Sequence, residues 1–118
     1  MILTDRSSQR VEITVLGEFT LADFKEFEGV FDAALKASAA QDQPLDLYFD
    51  VREMAGVTVD VAWEEVVFSR AHGKDLRRIA VVAEHRWEAW AVWLTKLSAA
   101  AEFRVFADAQ HAQAWLAA

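Results

Sequence analysis

Few side chains in this 118-residue chain could do covalent or metal chemistry, and their spacing limits what that chemistry could be. The histidines are His72, His85 and His111. With Glu84, His72 and His85 could meet across the C-terminal edge of a sheet. Their spacing fits no metal signature such as His-Glu-x-x-His, and no third close ligand stands beside them, so no metal site is expected. A histidine at a helix end is more simply a cation favoured by exposed carbonyls. Cysteine is absent, which removes disulfides, thiol nucleophiles and thiolate ligands. There is no Gly-x-Ser-x-Gly elbow, and Ser69 and Ser98 fall inside helical patterns. Gly17, Gly29, Gly56 and Gly73 are isolated, so no Gly-rich loop can cradle a phosphate. Asp50 ends an apolar strand and is the best-placed carboxylate, but alone it reads as a hydrogen-bond partner of a neighbouring loop. No catalytic residue, no cofactor and no enzyme activity are expected.

The aromatic residues carry more information. Trp87, Trp90, Leu94 and Leu97 fall on one helical stripe, with Trp93 at its edge. Such a stripe is first of all core. Three tryptophans on one helix of a small domain are harder to bury, because each needs a partner for its indole N–H. In the preceding helix Ala62, Trp63, Val66 and Val67 face one way, while Phe68 projects away beside Glu64 and Ala71. Val92 likewise leaves its helix's main stripe. Split apolar arcs suggest a second contact: a ligand, a partner subunit or a membrane surface. Scattered exposed apolar residues, normal on any monomer, are the plain alternative.

These residues need elements to position them. Met1 to Asp5 reads as a short strand and Arg6 to Arg10 as a polar turn. Val11, Ile13 and Val15 alternate with polar residues as a strand closed by Gly17. Thr20 and Asp23 resemble a capping box that starts a helix near Leu21. Leu21, Phe24, Phe27, Phe31, Ala34 and Leu35 form its apolar face, opposite Lys25, Asp32 and Lys36. Gln41 to Pro44 breaks it. Leu45 to Val51 is an apolar central strand, followed by a loop from Arg52 to Thr58. Thr58 or Asp60 caps a helix from about Val61 to His72. Ile79 to Ala83 is a strand, Arg86 to about Ala99 the Trp helix, and Glu102 to Phe106 a strand. Asp108 caps a last helix burying Ala112, Trp115 and Leu116. Apolar strands separated by helices imply parallel pairing and a covered sheet.

Composition sets the outer bounds. The chain is 54% hydrophobic with a formal net charge of -7, which fits one globular domain spanning residues 1–118. The negative surface repels phosphate backbones and is not drawn to anionic lipid, so nucleic acid is excluded as a partner. MILTDRSSQR is too short and polar for a signal peptide, and no apolar run approaches the roughly 20 residues of a membrane span. A cytoplasmic setting is expected.

The order ββαβαβαβα resembles a STAS domain, the fold of anti-sigma factor antagonists and of the cytoplasmic ends of sulfate transporters. The closest likeness is to the SpoIIAA-like family of small stand-alone bacterial proteins. GEFTLADF, LYFDVREMAGV, WEEVVFSRAHGKDLRRIAVVAEHRW and FRVFADAQHAQAWL carry it by their order and spacing. The resemblance implies an α/β domain with a mixed, mostly parallel five-stranded sheet and four helices, mainly on one side. In the antagonists an Asp-Ser-Ser-Gly loop before the second helix holds a phosphorylatable serine. Here that region reads GVTVDVAW, with Thr58 the nearest hydroxyl, so the phospho-switch is not expected to carry over.

The resulting expectation is a non-enzymatic binding module. The resemblance is compatible with an apolar small molecule or lipid held between the second and third helices, with at most peripheral membrane contact. Trp63, Val67, Phe68, Trp87, Trp90 and Trp93 are the expected wall, with His72 and Arg86 as polar groups at its mouth. The alternative is a regulatory protein–protein module using Met54, Thr58 and Asp60. A homodimer pairing apolar helix faces is the third option.

Overall fold

Alternating apolar residues make one face of each strand a core face, and the computed structural model shows what covers it. The model describes residues 1–7, 9–39, 44–95 and 101–118. Strands β1 (Ile2–Arg6), β2 (Arg10–Phe19), β3 (Leu45–Val57), β4 (Leu76–Val82) and β5 (Glu102–Phe106) form one sheet in the order β1-β2-β3-β4-β5. β1 pairs antiparallel with β2, and every other neighbouring pair is parallel. Helices α1 (Leu21–Ala39), α2 (Val59–His72), α3 (Glu88–Thr95) and α4 (Ala109–Ala117) follow β2, β3, β4 and β5. This is the expected ββαβαβαβα α/β fold.

Consecutive parallel strands joined by crossovers of one hand place their helices on one face. The packing agrees: Leu47, Phe49, Ile79 and Val81 bury against Phe24, Phe27 and Phe31 of α1, Val61 and Phe68 of α2 and Ala91 of α3. The intervening residues Tyr48, Ala80 and Val82 face the other way and bury against Ala112 and Leu116 of α4. Strand periodicity of two thus builds two cores from one sheet.

The Thr20–Asp23 capping box forms as expected. The Asp23 backbone N–H donates to Thr20 Oγ1 at 3.3 Å, and the Thr20 backbone N–H donates to Asp23 Oδ2 at 3.1 Å. At α4, Asp108 accepts from the His111 backbone N–H at 2.8 Å.

Two expectations are corrected. β2 does not stop at Gly17. That residue takes φ +71°, a conformation open to glycine, and the strand continues to Phe19 through register shifts around it. The extension gives β3 a partner beyond Val51, with Gly17 opposite Met54 and Phe19 opposite Val57. The segment expected as a loop from Arg52 is therefore strand up to Val57. The expected helix break from Gln41 and the end of the Trp helix, with Leu97, lie outside the described residues.

Candidate functional site

α2 lies between α1 and α3 in the helix layer, and its two flanks differ. Toward α1 it is filled with aromatic rings: Phe68 sits 5.1 Å from Phe27 and 5.0 Å from Phe31, ring centre to ring centre. Glu64 on the same flank meets Lys25 of α1 at 3.4 Å. Phe68 is only 7% exposed, which corrects its expected place on a wall facing α3. The phenylalanine-rich face of α1 supplies the apolar partner that Phe68 joins.

The buried face of α2 is set by Val61, Glu65 and Phe68. Trp63 and Val67, expected on the wall of a site between the second and third helices, point to solvent at 68% and 46% exposure. With Val59, Val92 and Trp93, they make up five of the seven large apolar residues exposed in the described structure. All five stand on α2 or α3.

Glu65 was not singled out from the sequence, because a charged residue in a helix reads as solvent-facing. Its position four residues after Val61 and three before Phe68 was the available signal. It is 7% exposed, its Oε2 has no hydrogen-bond partner among the described residues, and burial pushes its carboxyl up to about 8. Burial is the only cause of that shift, so no charged group compensates it.

α3 is pinned at its start. Trp87 Nε1 donates to the Met54 carbonyl oxygen at 2.8 Å. Arg86 Nη2 donates to the carbonyls of Met54 and Ala55, each at 3.1 Å, and its guanidinium lies 5.3 Å over the Trp87 ring. Trp90 packs edge-on to Trp87 at 6.3 Å, and its own indole N–H is buried without a partner among the described residues.

The structure does not bring the expected mouth residues together. Arg86 grips the end of β3, just before α2 begins, while His72 ends α2 about 20 Å away along a 14-residue helix. His72 Nδ1 pairs with Asp75 at 3.1 Å. Glu84 and His85 follow β4, whereas His72 precedes it, so they sit at opposite ends of that strand. No cluster of three metal-ligating side chains occurs among the described residues.

The residues expected at a regulatory loop are also mostly inaccessible. Met54 is 2% exposed within β3, and Thr58 Oγ1 is buried without a partner among the described residues. Asp60 alone is exposed. Asp50 is spoken for: Arg52 forks onto it with 3.1 and 2.7 Å bonds, and the Tyr48 hydroxyl points at it from 3.4 Å. Burial, with the Asp50 charge beside it, pushes the Tyr48 phenol up to about 12. A separate open groove of about 490 Å³ between β1 and α1, lined by Thr4, Arg6, Glu26 and Val30 among others, contains none of the expected site residues.

The SpoIIAA-like family model matches residues 10–117, nearly the whole chain. The chain belongs to the SpoIIAA-like family. A solved structure of an uncharacterized protein with a SpoIIAA-like fold from Shewanella loihica superposes with a TM-score of 0.74 at 22% identity, covering 98% of this chain and 92% of that one. No curated protein matches the sequence. A SpoIIAA-like fold is that of a STAS-type binding or regulatory module, in a family that is generally non-enzymatic. None of the described helices of this SpoIIAA-like domain is long and apolar enough to cross a membrane.

Proposed function

We propose that this SpoIIAA-like domain is a non-enzymatic binding module that holds an apolar small molecule or lipid between α2 and α3. The observation that carries the reading is the concentration of exposed apolar side chains on these two helices: Val59, Trp63 and Val67 on α2, Val92 and Trp93 on α3. An aqueous monomer gains nothing from such a concentration, whereas an apolar ligand or a lipid surface would cover it. The groups first considered for chemistry have other partners: Asp50 is paired with Arg52, and each histidine stands beside a carboxylate.

The regulatory alternative has less support, because Met54 and the Thr58 hydroxyl are buried rather than presented. Mass spectrometry of the purified protein under native conditions tests the two. Co-purifying apolar molecules support the binding reading. A protein with no such molecule, and no uptake of an environment-sensitive apolar dye, refutes it.

A further inference from the structure

Resting on the apolar-ligand reading above, we propose that the flank of α2 turned to α3 is a hydrogen-bonding subsite for an uncharged, oxygen-bearing head group, formed by Thr58, Glu65 and the Trp90 indole. Thr58 Oγ1, Glu65 Oε2 and Trp90 Nε1 are buried without a partner among the described residues. Buried polar groups are nearly always paired, so three on two helices of one layer call for an occupant. The fourth such atom, on Glu28 of α1, lies away from α3; burial raises that carboxyl as well, but the charges of Lys25, Glu64, Asp32 and His72 also act on it.

Helix geometry sets the three residues along one flank, with Thr58 and Glu65 about 10 Å apart along the axis, a span that a head group with more than one oxygen can cover. Thr58 and Glu65 are seven residues apart, about two turns, and so share one side of α2. The α1 flank is occupied by Glu64 and Phe68, which leaves Thr58, Ala62 and Glu65 toward α3. In the turn just ahead of α3, Trp87 reaches the Met54 carbonyl near the end of β3, the strand that leads into α2, so the face of α3 that continues from Trp87 is turned toward α2. Trp90 packs against Trp87, one turn further along.

The donors select the ligand. With its carboxyl raised by burial, Glu65 is protonated at neutral pH and donates an O–H. Trp90 donates an N–H and Thr58 an O–H. Three donors with no fixed charge suit an ester or ketone carbonyl, or a hydroxyl oxygen. An anionic head would lose its hydration without a cation in return. Arg86 is committed to the Met54 and Ala55 carbonyls, and His72 to Asp75 at the far end of α2. An ammonium head would leave the Trp90 N–H unmet.

Four ten-carbon probes test this at pH 7: monodecanoylglycerol, decanoate, decylammonium and decane, each titrated against a bound apolar dye. The neutral ester should bind about tenfold more tightly than decane and more tightly than both ions. Glu65→Leu and Trp90→Phe should each erase most of that margin while decane binding persists, and Glu65→Gln, which keeps a donor, should retain it. Leucine is compatible with an apolar site, and the phenylalanine variant reads the same subsite from the other helix. Equal binding of ester and decane, tightest binding of either ion, or an unchanged margin in both variants overturns the subsite while leaving the ligand reading intact. If no probe binds, decane included, the ligand reading fails and the subsite with it.

Discussion

The indole N–H of Trp87 donates to the main-chain carbonyl of Met54 at 2.8 Å, tying the start of α3 to the end of β3. A tryptophan on a crossover helix thereby fixes the place where the previous crossover begins. Because Arg86 shares the same acceptor, Trp87→Phe leaves the carbonyl paired and should cost about 1 kcal/mol in urea denaturation. Trp87→Ala also removes the ring from the core and should cost about 3–5 kcal/mol.

Glu65 gives stability a pH dependence of definite sign. Its folded-state value of about 8 lies above the ordinary 4.5, so the folded protein holds a proton that the unfolded chain releases. No penalty exists below pH 4.5; stability then falls as pH rises and levels off above about 8, with a loss on the order of 4–5 kcal/mol at most. Glu65→Gln should flatten this window, measured as the urea midpoint at pH 5, 6.5 and 8.5. An unchanged slope would mean that Glu65 reaches water in solution.

Phe27 is 1% exposed and packs edge-on against Phe24 and Phe49 and at a tilt against Phe31 and Phe68. Phe27→Ala should destabilise by about 3–5 kcal/mol, a large share of the stability of a small domain. The melting temperature reads it directly.

Trp63 and Trp93 separate binding from packing. At 68% and 38% exposure, their truncation to alanine should change stability far less than Trp87→Ala, yet weaken uptake of an apolar dye. Loss of stability without loss of uptake would place them in the core instead.

Thr58 should resist an antagonist-type kinase, since its hydroxyl oxygen is buried and the Asp-Ser-Ser-Gly pattern is missing. Phosphate mass on a Thr58 peptide after incubation would revive the regulatory alternative.

The sequence made the fold legible because its strong signals were local and periodic. The Thr20–Asp23 box, the alternation in β2, the phenylalanine face of α1 and the bounds of β5 all appear where the pattern put them. The errors came where tertiary partners overrode local pattern. Arg52 to Val57 looks like a loop until Gly17 lets β2 run on and pair with it. α2 was harder, because it carries apolar residues around most of its circumference and its wheel has no single favoured face. Only the packing of α1 decides that Phe68 goes in and Trp63 out. Glu65 was hidden for the opposite reason: the polar residue on the buried face is the one that pattern reading discards.

The unbroken strand order has a consequence for where any ligand can sit. In open α/β sheets whose order reverses, the helices on either side of the reversal diverge to opposite faces and leave a crevice at the carboxyl ends of the strands, where cofactors and substrates bind. Here the parallel strands advance β2-β3-β4-β5 without turning back, so there is no topological switch point. The sheet edge is instead closed by Arg86 and Trp87 on the Met54 carbonyl. If the proposed ligand sits between α2 and α3, those neighbouring helices of one layer have to part to admit it, and its occupancy would then be coupled to the molecule's outline.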